Sequence, residues 1–123
     1  MISNSRILAV DRNQRNLELL SQFLHKEGYQ TMMASSFEEF GRAIDEPHKI
    51  GIALVDISGF DRRIWDCCEQ LRSHQIPFLI LSPKQSAVIQ QESLCHGARS
   101  ILIKPLAVRQ LLSLVHSLLG EPP

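Results

Sequence analysis

Apolar residues along this chain fall into two alternating patterns. Short continuous runs come first: Ile7-Leu-Ala-Val10, Ile50–Val55, Phe78-Leu-Ile-Leu81 and Ile101-Leu-Ile103. Between them lie longer stretches whose apolar residues recur every three or four positions. Continuous runs of four to eight residues suit strands covered on both faces, and the longer spacing suits amphipathic helices. The reading is a strand at Arg6–Val10, then a helix over Gln14–Glu27 carrying Leu17, Leu20, Phe23 and Leu24, stopped by Gly28. A weaker strand follows over Tyr29–Ala34. Ser36 and Glu39 have capping-box spacing and open a helix with Phe37, Phe40, Ala43 and Ile44, which ends near Pro47. The third strand is Ile50–Val55. A helix starting near Asp61 places Ile64, Cys68 and Leu71 on one stripe. Pro77–Leu81 is the fourth strand, and the next helix runs from Pro83–Ser86 to Cys95–His96, with Gly97 as its breaker. Ser100–Ile103 is the fifth strand. Pro105 suits the start of a last helix with Val108, Leu111, Leu112, Val115 and Leu119 on its stripe, ended by Gly120.

Five βα units with short connections predict an α/β fold: a doubly wound, five-stranded parallel sheet with helices on both faces and right-handed crossovers. The length suits a single domain over residues 1–123, with 120–123 a tail or the start of a linker. No internal repeat or low-complexity tract interrupts it.

Four of the runs stop at a residue that can do chemistry: Asp11, Asp56, Ser82 and Lys104. In an open parallel sheet the carboxyl ends of the strands share one edge, and sites form there. Two carboxylates, a hydroxyl and an ammonium on one rim suit the handling of a phosphoryl group.

The ordered set is specific. Val10-Asp11 follows the first strand, Val55-Asp56-Ile57 the third and Leu81-Ser82 the fourth, while Gly97-Ala98 leads to Ile103-Lys104-Pro105 after the fifth. In this the chain resembles the receiver domains of two-component response regulators over nearly its whole length. The resemblance implies the flavodoxin-like, CheY-like strand order 2-1-3-4-5. It makes Asp56 the phosphoacceptor, Lys104 the cation that meets the phosphoryl oxygens, and Ser82 the hydroxyl that moves to bond them. It implies a Mg²⁺ site built from Asp11, Asp56 and the backbone carbonyl of Ser58. It also implies a cis Lys104–Pro105 peptide, a histidine kinase as donor, and an output domain, partner protein or second copy of the chain meeting the face of helix 4, strand 5 and helix 5.

Two positions depart from the family. Arg12 stands where a second acidic residue is expected, and this weakens the metal site. Asp11, Asp56, Arg12 and Lys104 sum to zero charge, so the rim lacks the negative excess that attracts a divalent ion. At an effective dielectric near 20, unit charges about 5–6 Å apart interact by roughly 3 kcal/mol before screening. Arg12 then has three readings: a built-in cation for phosphate, a salt bridge to Asp56 or Asp11 that locks the pocket, or a solvated side chain at a helix start. Ile101 stands where the family carries an aromatic ring that changes rotamer, and it reads as a plain strand residue. Both departures favour an alternative, a pseudo-receiver that docks or dimerises without phosphotransfer.

Other features narrow the field. Thirteen basic and thirteen acidic residues cancel, which gives no reason to expect direct contact with nucleic acid or an anionic membrane. No apolar stretch approaches a membrane span, and Met1-Ile2 is followed by polar residues. Cys67, Cys68 and Cys95 form no metal-like pair and read as reduced thiols of a cytoplasmic protein. A phosphatase using Asp56 as nucleophile lacks a second Asp two residues on, where Ser58 stands, and no glycine-rich loop follows the first strand. Arg62 and Arg63 read as solvated loop charges, Trp65 as an edge-of-core residue, and the five histidines as structural or surface groups.

Overall fold

The structure is a computed structural model that describes residues 6–120; of the tail assigned to 120–123, residues 121–123 lie outside them. Five strands alternate with five helices: β1 (Arg6–Val10), α1 (Gln14–Lys26), β2 (Thr31–Ala34), α2 (Phe37–Ile44), β3 (Ile50–Asp56), α3 (Arg63–Ser73), β4 (Phe78–Ser82), α4 (Ala87–Cys95), β5 (Ser100–Ile103) and α5 (Val108–Leu119). The sheet is parallel throughout, in the order β2-β1-β3-β4-β5. A short 3-10 turn, Pro47–Lys49, leads into β3.

The continuous apolar runs are the central strands, and their alternate residues feed two cores. Leu8, Val10, Ala53, Val55, Phe78 and Ile80 pack with Phe40 of α2 and with Ile64, Cys68 and Leu71 of α3. On the other face Ile7, Ile52, Leu54, Leu79, Leu81 and Leu102 pack with Leu24 of α1 and with Leu111 and Val115 of α5. Helix α4 lies against edge strand β5, and Ser93 is its one buried residue.

Two boundaries and one helix cap depart from the sequence reading for local reasons. β2 starts at Thr31 because Tyr29 still serves α1: Gly28 takes φ +95°, its N–H donates to the His25 carbonyl, and the Tyr29 N–H donates to the Leu24 carbonyl. This is a Schellman cap, and it needs a left-handed residue after the helix. α2 opens at Ser36, whose Oγ accepts from the Glu39 N–H at 3.1 Å, but the Glu39 carboxylate reaches one residue further back, to the Ser35 N–H at 2.7 Å and the Ser35 hydroxyl at 3.0 Å. α5 begins at Val108, not at Pro105. Val108, the first helical residue, is exposed instead of lying on the buried stripe.

Candidate functional site

Strand register brings the four chemical residues together. Val10 of β1 lies opposite Val55 of β3, so Asp11 and Asp56 are lateral neighbours. Asp56 lies opposite Leu81, one residue before Ser82. Ser82 lies opposite Ile103, one residue before Lys104. Adjacent strands are about 4.8 Å apart, so Lys104 stands two strands from Asp56, within reach of a lysine side chain. Parity then aims the charges: Leu54 and Leu102 face α1 and α5, so Asp56 and Lys104, two residues further on, face the same way.

Asp56 is 1 % exposed and its Oδ2 forms an ion pair with the Lys104 Nζ. Its Oδ1 accepts from the Ser58 N–H at 2.9 Å. Asp11 repeats that turn, its Oδ1 accepting from the Asn13 N–H at 2.8 Å. Each carboxylate thus organises its own loop through the backbone two residues on. Burial raises the Asp11 pKa above its usual value, and the Asp56 charge raises it further, against the opposing pull of the Asn13 N–H and of Lys104. The Lys104–Pro105 peptide is cis.

Ser82 is fully buried at the same rim. Its hydroxyl donates to the Lys84 carbonyl at 2.7 Å, so it is turned into the β4–α4 loop and not toward Asp56. The Ser58 hydroxyl is buried and has no hydrogen-bond partner among the described residues.

Arg12 is exposed, and among the described residues no carboxylate lies within ion-pair distance of it. The salt-bridge lock expected as one of its three readings is therefore absent here; Lys104 holds Asp56 instead. The aliphatic stem of Arg12 lies against Gly59. A Cβ added to Gly59 would sit 3.3 Å from Arg12 Cγ and 3.4 Å from its Cβ, at a φ of +79° that side chains rarely adopt. The stem thus occupies space that a bare glycine leaves open beside Ser58. The guanidinium also contributes, behind Arg63, to holding the Asp61 carboxyl down to about 2.

Two clefts meet at Asp11. One of about 350 Å³ lies between the β1–α1 and β3–α3 loops, lined by Asp11, Arg12, Asn13, Asn16, Ser58 and Gly59. An apolar one of about 480 Å³ runs from Asp56 and Lys104 between Leu20 and Phe23 of α1 and Leu106 and Val108 at the start of α5.

The donor set fits a resident Mg²⁺ poorly. Hard cations of this kind are held by oxygen donors, usually with several carboxylates or phosphates. Here two side-chain carboxylates converge, one is already paired with Lys104, and a guanidinium borders the cleft in which a third would stand. Among the described residues no group of three or more His, Cys, Asp or Glu is arranged to hold a metal.

Away from the rim, Arg63 pairs with Asp61 through contacts of 2.8–3.2 Å and lies over the Phe37 ring, so it is more tightly engaged than a solvated loop charge. Trp65 packs at the edge of the core as expected, and stacks on His96. His96 spans α3 and α4, with Nδ1 2.7 Å from Glu69 and Nε2 3.3 Å from Glu92. The Glu92–His96 spacing of four was a signal in the sequence; Glu69, on another helix, had none. Cys67 and Cys68 are buried, with burial pushing their thiols up to about 11 and about 12, and Cys95 is exposed. No helix among the described residues is long and apolar enough to cross a membrane.

Comparison with known proteins gives the family. Residues 7–116 match the family model of the response regulator receiver domain. The transcriptional regulatory protein GltR of Pseudomonas aeruginosa is 32% identical over 97% of this chain and 51% of its own length. The transcriptional regulatory protein CpxR of Escherichia coli K12 is 28% identical over 94% of this chain and 49% of its own length. The chain thus spans about half the length of these curated relatives. Among solved structures, a response regulator receiver protein from Pseudomonas putida superposes with a TM-score of 0.85 at 22% identity, covering 95% of this chain and 99% of that one. A two-component response regulator from Clostridium difficile gives 0.84 at 25% identity, covering 94% and 95%. By sequence match and CheY-like fold together, this chain belongs to the receiver domains of two-component response regulators.

Proposed function

We propose that this domain takes a phosphoryl group from the phosphohistidine of a histidine kinase onto Asp56 and switches conformation in response, as a cytoplasmic step in a phosphorelay. The observation that carries the reading is a carboxylate 1 % exposed, ion-paired to Lys104 and flanked by Asp11, at the meeting of two clefts. An Asp56 oxygen attacks the phosphorus, an O–P bond forms and the N–P bond breaks. The electron pair returns to the imidazole nitrogen, which takes a proton. Lys104 lies where it neutralises the transferred oxygens, and its pairing with Asp56 holds the nucleophile in place. The donor approaches over the apolar cleft, whose margin carries the exposed Leu19 and Val108.

Ser82 then leaves the Lys84 carbonyl for a phosphoryl oxygen, and the β4–α4 loop moves with it. The face of α4, β5 and α5 passes the change to an output domain, a partner protein or a second copy of the chain. Ile101, half-buried against the α2/α3 core, gives no ring rotation, so the signal travels by displacement of α4.

A second reading is a pseudo-receiver that docks or dimerises without phosphotransfer, favoured by Arg12 at the rim and Ile101 in β5. Incubation with acetyl phosphate or phosphoramidate and intact-mass measurement, beside Asp56→Asn, separates the two. An added phosphoryl mass in the parent and not in the variant supports transfer. Its absence under all conditions supports the pseudo-receiver.

A further inference from the structure

Resting on the reading of Asp56 as acceptor, we infer that Arg12 takes the place of a divalent cation, so that this pocket binds and holds its phosphoryl group through a guanidinium and without Mg²⁺. The charge arithmetic is direct. A carboxylate holding a divalent ion carries one net positive charge, and so does one guanidinium. With Asp11, Lys104 and a dianionic phosphoryl group on Asp56, Arg12 brings the site to one net negative charge, the same total an acid plus a dication would give.

The geometry supplies the means. The Arg12 stem lies on Gly59 at the border of the cleft between the β1–α1 and β3–α3 loops, one residue from Ser58 and next to Asp11 in the chain. The guanidinium is exposed and has no carboxylate within ion-pair distance among the described residues, so no bond must break for it to turn inward. Guanidinium binds two phosphoryl oxygens at once in a planar fork, which an ammonium cannot do. The same cleft holds the buried, unpartnered Ser58 hydroxyl, a donor with nothing to donate to. Lys104 from one side, Arg12 from the other and Ser58 from the loop then enclose the three peripheral oxygens. Asp61 draws on the same guanidinium in the free state, but Arg63 already satisfies it bidentately.

The experiment compares adduct yield with acetyl phosphate in excess EDTA and in excess Mg²⁺, by intact mass, for the parent, Arg12→Gln, Arg12→Asp and Asp56→Asn. The parent is expected to reach yields within about twofold in the two buffers. Arg12→Gln loses about tenfold or more in EDTA, the scale of one charge-assisted hydrogen-bonded contact. Arg12→Asp yields adduct only with Mg²⁺, and by calorimetry it binds Mg²⁺ at least about tenfold more tightly than the parent. A parent adduct that needs Mg²⁺ overturns the inference and leaves Asp56 as acceptor. Mg²⁺ binding as tight in the parent as in Arg12→Asp also overturns it. No Asp56-dependent adduct in either buffer overturns the acceptor reading and this inference with it.

Discussion

Replacing Lys104 with Met should destabilise the fold, and the size of the loss can be worked from the structure. Asp56 is 1 % exposed and its Oδ2 has the Lys104 ammonium as partner. Methionine keeps most of the aliphatic stem that packs at the sheet edge, so the change removes charge more than volume. The stranded carboxylate keeps the Ser58 N–H on Oδ1 and nothing positive on Oδ2, with Asp11 still beside it. Removing one partner of a fully buried ion pair costs about 3–5 kcal/mol, because the surviving charge stays desolvated. Lys104 is itself 29% exposed, so water screens the pair from one side and the loss should be about 2–3 kcal/mol. For a domain of this size that lowers Tm by roughly 10 °C.

The reverse deletion is not symmetric. Asp56→Asn keeps the Ser58 bond and frees Lys104 into solvent, so it should change stability by about 1 kcal/mol or less. In the Asp56→Asn background, Lys104→Met should then cost little, giving a coupling energy of about 2 kcal/mol in urea unfolding of the four proteins at pH 7. If Lys104→Met costs under about 0.5 kcal/mol, or costs the same in both backgrounds, the pair does not hold the nucleophile in place, and the argument for Lys104 fails with it.

Asp11→Asn should stabilise the protein by about 1 kcal/mol at pH 7, since the amide keeps the Asn13 N–H bond and removes a buried charge next to Asp56. The folded pKa of Asp11 is raised, so its penalty is full above that value and fades as pH falls through it toward 3.8; thermal melts of parent and variant should therefore converge in acid. Gln75→Gly should gain about 0.5–1 kcal/mol, because Gln75 sits exposed at φ +60°, where a side chain strains the backbone; a loss in urea unfolding would refute this. Ser36→Ala should cost about 1 kcal/mol through loss of the α2 cap, read by the same unfolding curves. A thiol reagent at neutral pH should modify Cys95 quickly, and Cys67 and Cys68 only on unfolding, because burial holds both thiols protonated.

The sheet was legible because unbroken apolar runs have no polar face to give to water. Ile52-Ala-Leu-Val55 and Phe78-Leu-Ile-Leu81 had to be covered on both sides, and alternation then decided which helix pair each residue met. The convergence of Asp11, Asp56, Ser82 and Lys104 followed from parallel strands ending at one level, without knowledge of any side-chain contact. What escaped the sequence depends on pairs with no local spacing. Glu69 reaches His96 from a different helix, and nothing in either neighbourhood announces the partner. Tyr29 was read as strand, although the Gly28 cap keeps its N–H on α1, a choice set by one backbone angle. Where the Arg12 side chain lies could not be read from its neighbours, since it depends on the missing Cβ of Gly59, far along the chain.

These placements bear on how a buried charge becomes a change of surface. The two carboxylates, Lys104 and Arg12 cancel, and on the proposed function phosphorylation of Asp56 would add one negative charge to the rim. The groups able to answer are the unpartnered Ser58 hydroxyl, the exposed Arg12 guanidinium and the Ser82 hydroxyl now donated to the Lys84 carbonyl. Of these, Ser82 alone belongs to the connection that leads into a poorly anchored helix. α5 is held by Leu111 and Val115 and α3 by Ile64, Cys67, Cys68 and Leu71, whereas α4 buries Ser93, whose hydroxyl donates to its own helix at the Ile89 carbonyl, and leaves Val88 and Leu94 exposed. Displacing α4 therefore strips the least apolar surface from the sheet, and burial is the main term that opposes such a movement. The end of α4 far from the rim is tied by His96 to Glu69, so the helix is free to pivot about that tie when its first turn follows the β4–α4 loop. On the proposed function, the output is therefore expected to leave where the core is thinnest, without an aromatic switch at Ile101.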